Sequence, residues 1–377
     1  CHGLPIEWKI EEDYRSKGKD KDAVPVVEFR RQCREFADQW IDTQREEFKR
    51  LGVTGDWDNY YTTMTFKAEA QIAREIGKFL MNGSLYKGAR PVMWSVVEKT
   101  ALADAEIEYH DHTSTTIHVR FPVVKASVPA LEGAAIVIWT TTPWTMPGNR
   151  AVAYGEEIDY VVVEPTEVAE NSLAVVGEKL VVARNLLDDF KAQTKIGALK
   201  ELASLKGAEI AGTICAHPLR GHGYDYDVPA LAADFATDDA GTGIVHIAPG
   251  HGADDFLLGK AHELEVPQTV GDDGVFYDHV PIFAGMHVLE DNMKIAAIIR
   301  DHGGLVARGK VKHSYPHSWR SKAPLIFRNT SQWFISMETN GLRDAALKAI
   351  DETRFVPAAG QSRLRGMIES RPDWCIS

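Results

Sequence analysis

The run from Gly241 to Phe256, Gly-Thr-Gly-Ile-Val-His-Ile-Ala-Pro-Gly-His-Gly-Ala-Asp-Asp-Phe, constrains this chain more than any other. Ile244, Val245 and Ile247 are β-branched and predict a short buried strand. Pro249-Gly250 must break it, and Gly252 keeps the backbone open. Asp254 and Asp255 stand where the apolar run Phe256-Leu257-Leu258 begins. Carboxylates suit that place, the first turn of a helix with its free N–H groups. His246 then leaves the strand end, and Asp255 faces the same hollow from the turn. A strand end, a tight turn and a helix start make a common place for a pocket. The same residues also fit a plainer role, a satisfied core histidine and two capping aspartates.

A second stretch is Trp139-Thr140-Thr141-Thr142-Pro143-Trp144-Thr145-Met146-Pro147-Gly148-Asn149. Ala134 to Trp139 predicts a buried strand. Four hydroxyls, two prolines and an asparagine follow it. Threonines there serve as strand filler or as turn formers. Set beside a histidine and a carboxylate, these hydroxyls and the Asn149 amide are the groups needed to hold an ester, its amino group and a water.

Both stretches closely resemble the editing motifs of class I aminoacyl-tRNA synthetases. Thr140-Thr141-Thr142-Pro143-Trp144-Thr145 is similar to the isoleucine form, and so is His246-Ile247-Ala248-Pro249-Gly250-His251-Gly252. Leucine and valine forms carry an Arg-Pro in the middle of the first motif. His2-Gly3-Leu4-Pro5-Ile6-Glu7, Gly55–Met64 and Arg371–Ser377 also resemble that family, in the same order along the chain.

Length and composition agree with such a reading. A chain of 377 residues, 44% of them apolar, should hold two or three domains of ordinary soluble character. No apolar run approaches a membrane span, and no basic leader precedes an apolar core. The opening at Cys1-His2-Gly3-Leu4-Pro5 reads like the middle of a domain, so an excised piece is expected. Cys1, Cys33, Cys215 and Cys375 form no Cys-x-x-Cys pair and no disulfide framework, which suggests a reducing, cytoplasmic home. A net charge of −12 argues against a dedicated nucleic-acid binder but leaves room for local basic patches.

Taken in order, Glu11–Val24 is charged and reads as a mobile loop. Val26–Leu51 has helical spacing of Phe29, Cys33, Phe36, Trp40 and Phe48. A second helix is expected from about Thr63 to Asn82, stopped by Gly83. Residues 115–311 are expected to form an inserted editing domain, a mixed α/β fold with a barrel-like sheet. Its expected strands are Ile117–Val123, Ala134–Thr140, Tyr160–Val163, Leu173–Val176 and Ile244–Ile247. Its expected helices lie near Gly177–Asn185, Asp254–Glu265 and Leu289–His302. Residues 1–114 are expected to hold a catalytic-core remnant and a helical connecting segment. Residues 312–377 are expected to return toward that core, with strands over Trp319–Arg328 and Gln332–Ile335 and helices near Leu342–Glu352 and Ser362–Ser370.

The resemblance fails at one feature. Many relatives carry cysteine pairs for zinc in two knuckle-like segments. Here those positions read Ser95-Val96-Val97-Glu98 and Tyr315-Pro316-His317-Ser318-Trp319-Arg320-Ser321. A structural zinc needs about four thiolate or imidazole ligands, and Glu98 with His317 cannot supply them. Both loops are expected to persist without zinc, held by packing.

What the resemblance implies for the chemistry is specific. A pocket built for isoleucine cannot reject valine by more than about 1–3 kcal/mol, and this enzyme family is the standard example of that limit. A second, smaller site would hydrolyse the ester of mischarged Val-tRNA(Ile). By family match Asp255 would hold the substrate ammonium, with Asp254 a cap or scaffold contact. Thr145 and His246 would form the floor and wall of the side-chain pocket. Thr140, Thr141 and Thr142 would serve the carbonyl and the water. Asn149 would hold the terminal adenosine or the water, and Trp139 and His251 would complete the binding surface. His246 is also a candidate base, but its steric role is the preferred one. No cofactor is expected for this stretch, whereas a full-length enzyme of the family would use ATP and magnesium. The expected partner is tRNA(Ile), the expected state a monomer, and no membrane is involved. Two rival readings remain: a metal-dependent hydrolase with His246, His251, Asp254 and Asp255 as ligands, and a tRNA-binding module without catalysis.

Overall fold

A computed structural model describes residues 3–376, so Cys1, His2 and Ser377 of the terminal motifs lie outside it. The chain divides into two compact units, one of residues 1–88 with 332–377 and one of residues 89–331. The stretch 115–311 therefore lies wholly inside the second unit.

The first unit is mainly helical. Helix α1 (Gly3–Ser16) covers the first part, Glu11–Ser16, of the stretch expected to be a loop. Its charges explain that difference, because they pair at helical spacing: Lys9 with Glu12, Arg15 with Glu11 and Lys17 with Asp13. Helix α2 (Val26–Arg50) follows the expected apolar spacing. Helix α3 (Phe66–Met81) starts at Thr65, whose hydroxyl accepts from the Ala68 N–H, and is followed by Gly83 at φ +78°. Strand β1 (Leu85–Ser95) follows α3.

The second unit is built on strands. After β1 come β2 (Thr100–Ala101), β3 (Ile107–Lys125), β4 (Ala134–Thr140), β5 (Ala151–Tyr154), β6 (Asp159–Val168) and β7 (Lys179–Ala183). Helix α4 (Leu187–Thr194), β8 (Ile196–Lys206), β9 (Ile214–Ala216), β10 (Asp227–Ala232) and β11 (Ile244–Ile247) follow. Helices α5 (Ala253–Ala261) and α6 (Asn292–Asp301) lead to β12 (Leu305–Ser318) and β13 (Ile326–Ile335). The chain then completes the first unit with α7 (Leu342–Glu352), α8 (Ala359–Glu369) and β14 (Trp374–Cys375). No helix among the described residues is long and apolar enough to cross a membrane.

Strand β4 shows why this sheet forms. Ile136 and Ile138 pack into one core with Ile117, Val119 and Phe121 of β3. Ala135 and Val137 face the other way, into a second core with Val161, Val163, Leu180, Val182 and Phe190. A strand buried on both faces reads as an unbroken apolar run. The sheet order is β11-β5-β10-β9-β3-β4-β7-β6-β8, with β12 on β3. The expected barrel is thus corrected: the path has two ends, β11 and β8, and does not close. The long β3 pairs with β4, β9 and β12 at different points along its length, so the sheet branches where a barrel would continue.

Other expectations change too. Leu173–Val176 forms no strand. Lys179–Ala183, expected within a helix, is β7, parallel to β4 with Leu180, Val181 and Val182 fully buried. Lys310 pairs with Thr115 and Val311 with Ser114, so one continuous ladder crosses positions 115 and 311. Residues 319–321 form a turn, and one strand, Ile326–Ile335, stands where Trp319–Arg328 and Gln332–Ile335 were expected.

The two serine-bearing loops meet at one carboxylate. Glu98, 7% exposed, accepts from the Ser95 hydroxyl, from the Ser318 hydroxyl at 2.7 Å and from the Ser321 N–H at 3.1 Å. Hydrogen bonding, rather than packing alone, joins the loops. Glu98→Ala would strand those buried donors at about 1–3 kcal/mol each. Thermal denaturation should show a Tm lower by several degrees, with Glu98→Gln intermediate because it keeps one acceptor oxygen. An unchanged Tm for Glu98→Ala would show that the network contributes nothing.

Candidate functional site

The two singled-out stretches meet at the end of the sheet. β11 pairs antiparallel with β5, placing His246 opposite Val152. A short 3-10 turn, Pro143–Gly148, follows β4 and delivers Asn149, and the Arg150 N–H donates to Ile247 O at 2.8 Å. The turn is thereby held against β11. The entry to β11 depends on Gly243, at φ +74°, where an added Cβ would lie 2.3 Å from that of Ala183. The Tyr160 hydroxyl donates to Gly243 O at 2.7 Å and fixes the approach.

One string of hydrogen bonds runs through the candidate residues. Thr140 Oγ1 lies 3.1 Å from Thr142 Oγ1 and accepts from the Thr142 N–H at 3.1 Å. Thr142 Oγ1 lies 3.2 Å from Thr145 Oγ1. Thr145 Oγ1 donates to Thr142 O at 2.8 Å and sits 2.9 Å from His246 Nε2. Asn149 Nδ2 donates to Ala151 O at 2.8 Å and lies 3.3 Å from His246 Nδ1. This network sets the tautomer: Nδ1 accepts from Asn149, so Nε2 carries the proton and donates to Thr145. Burial pushes the His246 pKa down to about 4, and nearby His251 adds to the effect, so the ring is neutral near pH 7. Both ring nitrogens of His246 are thus engaged inside the network.

Asp255 approaches from the start of α5. Its carboxylate accepts from the Ala248 N–H at 2.7 Å, two residues beyond His246. Burial pushes its pKa up to about 6, against the Ala248 hydrogen bond and with help from Asp254. Asp254 is exposed and makes no hydrogen bond among the described residues, so it does not cap the helix. The N-cap is Gly252, which has no side chain to use.

His251 turns elsewhere. Its Nδ1 lies 3.0 Å from Phe327 O and its Nε2 2.7 Å from Thr269 Oγ1, and its ring packs edge-on to Trp144 at 5.0 Å. Both nitrogens are taken by scaffold contacts. Among the described residues no three His, Cys, Asp or Glu side chains are placed to share a metal ion. The geometry thus disfavours the metal-ligand reading of His246, His251, Asp254 and Asp255.

A hollow of about 270 Å³ opens at this end of the sheet. Trp139, Thr140 and Thr141 line it on one side. Phe235, Thr237 and the 240–245 backbone line the other. Thr141 makes no hydrogen bond among the described residues, which leaves its hydroxyl for a ligand. Thr142, Thr145, Asn149, His246 and Asp255 are not on the lining. Thr145, Asn149 and His246 are buried, at 4%, 0% and 6% exposed. Phe235 and Thr237 were not expected at the site, and their only signal was a position just before Gly241. Tyr226 was missed as well: its hydroxyl donates to Asn149 O at 2.8 Å and steadies the end of the turn.

The whole chain, residues 1–377, matches the family model described as tRNA synthetases class I (I, L, M and V). The chain belongs to the class I tRNA synthetases. It is 56% identical to the isoleucine–tRNA ligase of Gluconobacter oxydans, covering all of this chain and 41% of that protein. It is 52% identical to the isoleucine–tRNA ligase of Pelagibacter ubique, again over all of this chain and 41% of that protein. The chain therefore spans about 41% of the length of these class I relatives. The crystal structure of GlLeuRS-CP1 aligns at 13% identity and a TM-score of 0.39, over 52% of this chain and 98% of that one, a likeness too slight to build on.

Proposed function

We propose that the second unit carries the proofreading site of an isoleucine–tRNA ligase, hydrolysing the ester of mischarged Val-tRNA(Ile). The observation that carries this reading is the buried Thr145–His246 contact, with the Asp255 carboxylate bonded to the Ala248 N–H two residues beyond His246. In this reading Asp255 receives the substrate ammonium. The hydroxyls of Thr140, Thr141 and Thr142 serve the carbonyl and the water, and Trp139 flanks the terminal adenosine. An ester of a vicinal diol is already activated, so orientation and charge placement supply most of what the site must add. Names of the relatives support isoleucine and tRNA as the substrates of the longer protein, with tRNA(Ile) as its partner.

The deciding experiment compares deacylation of Val-tRNA(Ile) and Ile-tRNA(Ile) by the purified chain. Faster release of valine than of isoleucine is expected. Binding of tRNA without release of either amino acid would favour the non-catalytic module instead.

A further inference from the structure

A second hollow, of about 370 Å³, lies beside the first and shares Trp139 with it. Its lining includes Thr116, His118, Gln193, Arg308 and Lys310. Register explains how it forms. His118 of β3 stands opposite Trp139 of β4 and Ala307 of β12, and Thr116 stands opposite Gly309. Directly paired residues share a sheet face. Two of these three partners, Ala307 and Gly309, are small, and a Cβ at Gly309 would come within 2.9 Å of Thr116 Oγ1. The missing side chains leave the space.

His118 is the group that needs explaining. It is 2% exposed, yet neither ring nitrogen has a hydrogen-bond partner. Burial pushes its pKa down to about 4, so it is a neutral imidazole with one N–H and one lone pair. Buried polar atoms are ordinarily paired, and an orphan on the lining of a hollow points to a ligand. A neutral imidazole can present one donor or one acceptor to the edge of a nucleobase, and the Gln193 amide has a donor and an acceptor side by side. Trp139 supplies an aromatic face of the kind on which bases stack. Arg308 and Lys310 are exposed and form no ion pair among the described residues, leaving two cations for a phosphate.

We propose that this hollow holds the nucleotide preceding the terminal adenosine of the tRNA, with His118 and Gln193 meeting its base and Arg308 and Lys310 its phosphate. The inference rests on the proofreading reading, because the shared Trp139 makes the two hollows successive stations for one RNA strand.

Calorimetric titration of the whole chain with adenosine 5′-monophosphate and with the 5′-phosphorylated dinucleotide CpA, which adds one base and one phosphate to it, tests it. CpA should bind at least about tenfold tighter, as one added base and phosphate imply. His118→Leu should abolish that gain and leave the monophosphate unchanged. Lys310→Glu, at an exposed position that cannot disturb the core, should weaken CpA alone and flatten its salt dependence. In deacylation, His118→Leu should raise KM about fivefold or more at unchanged kcat. Equal binding of the two probes by the wild type overturns the inference, and so does a CpA affinity indifferent to both variants. If His118→Leu loses both probes together through misfolding, Lys310→Glu decides. A wild-type chain that hydrolyses Val-tRNA but shows no CpA gain refutes this inference alone. A chain that hydrolyses neither ester refutes the proofreading reading, while the probe titrations still report on the hollow.

Discussion

Asp255→Ala should slow deacylation of Val-tRNA by at least about a hundredfold. An aminoacyl ester carries its ammonium beside the scissile carbonyl, so one contact to that ammonium also aims the carbonyl at the threonine-rich edge. A charge-assisted hydrogen bond of this kind is worth roughly 1.5–3 kcal/mol, and lost orientation adds to it. Asp254→Ala is the control and should be nearly silent, since Asp254 is exposed and unbonded among the described residues. The pH dependence separates the carboxylate from its neighbours. With its pKa pushed up to about 6, Asp255 is protonated at lower pH and cannot pair with an ammonium. Hydrolysis at low substrate should therefore fall as pH drops through about 6. His246 and His251, both held near 4, stay neutral through that window and cannot produce the inflection. Asp255→Asn should remove it. The stability effect has the opposite sign. A raised folded pKa contributes stability that is full below the unfolded value and is lost as pH rises through about 6. Asp255→Asn should thus gain stability relative to wild type on going from pH 5 to pH 7, measured by denaturant midpoints. A dead Asp254→Ala beside a mild Asp255→Ala would place the anchor one residue earlier.

The parts of this fold that could be read in advance are those whose signals are local. Gly243, Pro249, Gly252 and three β-branched residues specify strand, turn and helix start without help from the rest of the chain. The same is true of α2, whose apolar spacing repeats for seven turns, and of β4, which is apolar throughout. Errors fall where the deciding partner is distant in sequence. β12 is polar and half exposed, and it is a strand because β3 pairs with it along its whole length. Val181 and Val182 lie in a strand because β4 and β6 stand on either side. Glu98 bonds to serines more than two hundred residues away, so no spacing rule marks it. His118 shows the same limit at the level of function. Nothing near it in sequence distinguishes it from strand filler, and only the assembled face reveals two unpaired nitrogens beside a hollow. The register between Asp255 and Asp254 could be assigned by resemblance, whereas Asp254's lack of any cap contact could not, because it depends on Gly252 having taken the N-cap position.

Truncating the wall should convert the site from sparing isoleucine to releasing it. Thr145 and His246 are buried and bonded to each other, and Thr145 is tied through Thr142 to Thr140 on the lining of the hollow. Thr145→Ala removes a methyl and a hydroxyl, and His246→Ala removes a whole ring, so either change opens space behind the lining threonines into which the hollow can extend. The difference to be admitted is a single methylene, worth only about 1–3 kcal/mol of contact, so exclusion must come from overlap with a rigid wall. Rigidity here has a source: His246 is pinned at both nitrogens, by Thr145 and by Asn149. Release of isoleucine from Ile-tRNA should rise from background to within about tenfold of valine release in both variants, while valine release persists. Thr145→Ser separates the contributions. It keeps the hydroxyl bonded to His246 and loses only the methyl, so a gain there assigns exclusion to the methyl, and no gain assigns it to the position of the ring. His246→Ala also takes one partner each from Thr145 Oγ1 and Asn149 Nδ2, which keep their bonds to Thr142 O and Ala151 O, and it leaves the volume of a buried ring unfilled. That variant should melt earlier than Thr145→Ala. If both Ala variants still spare Ile-tRNA while remaining folded, neither side chain is the wall.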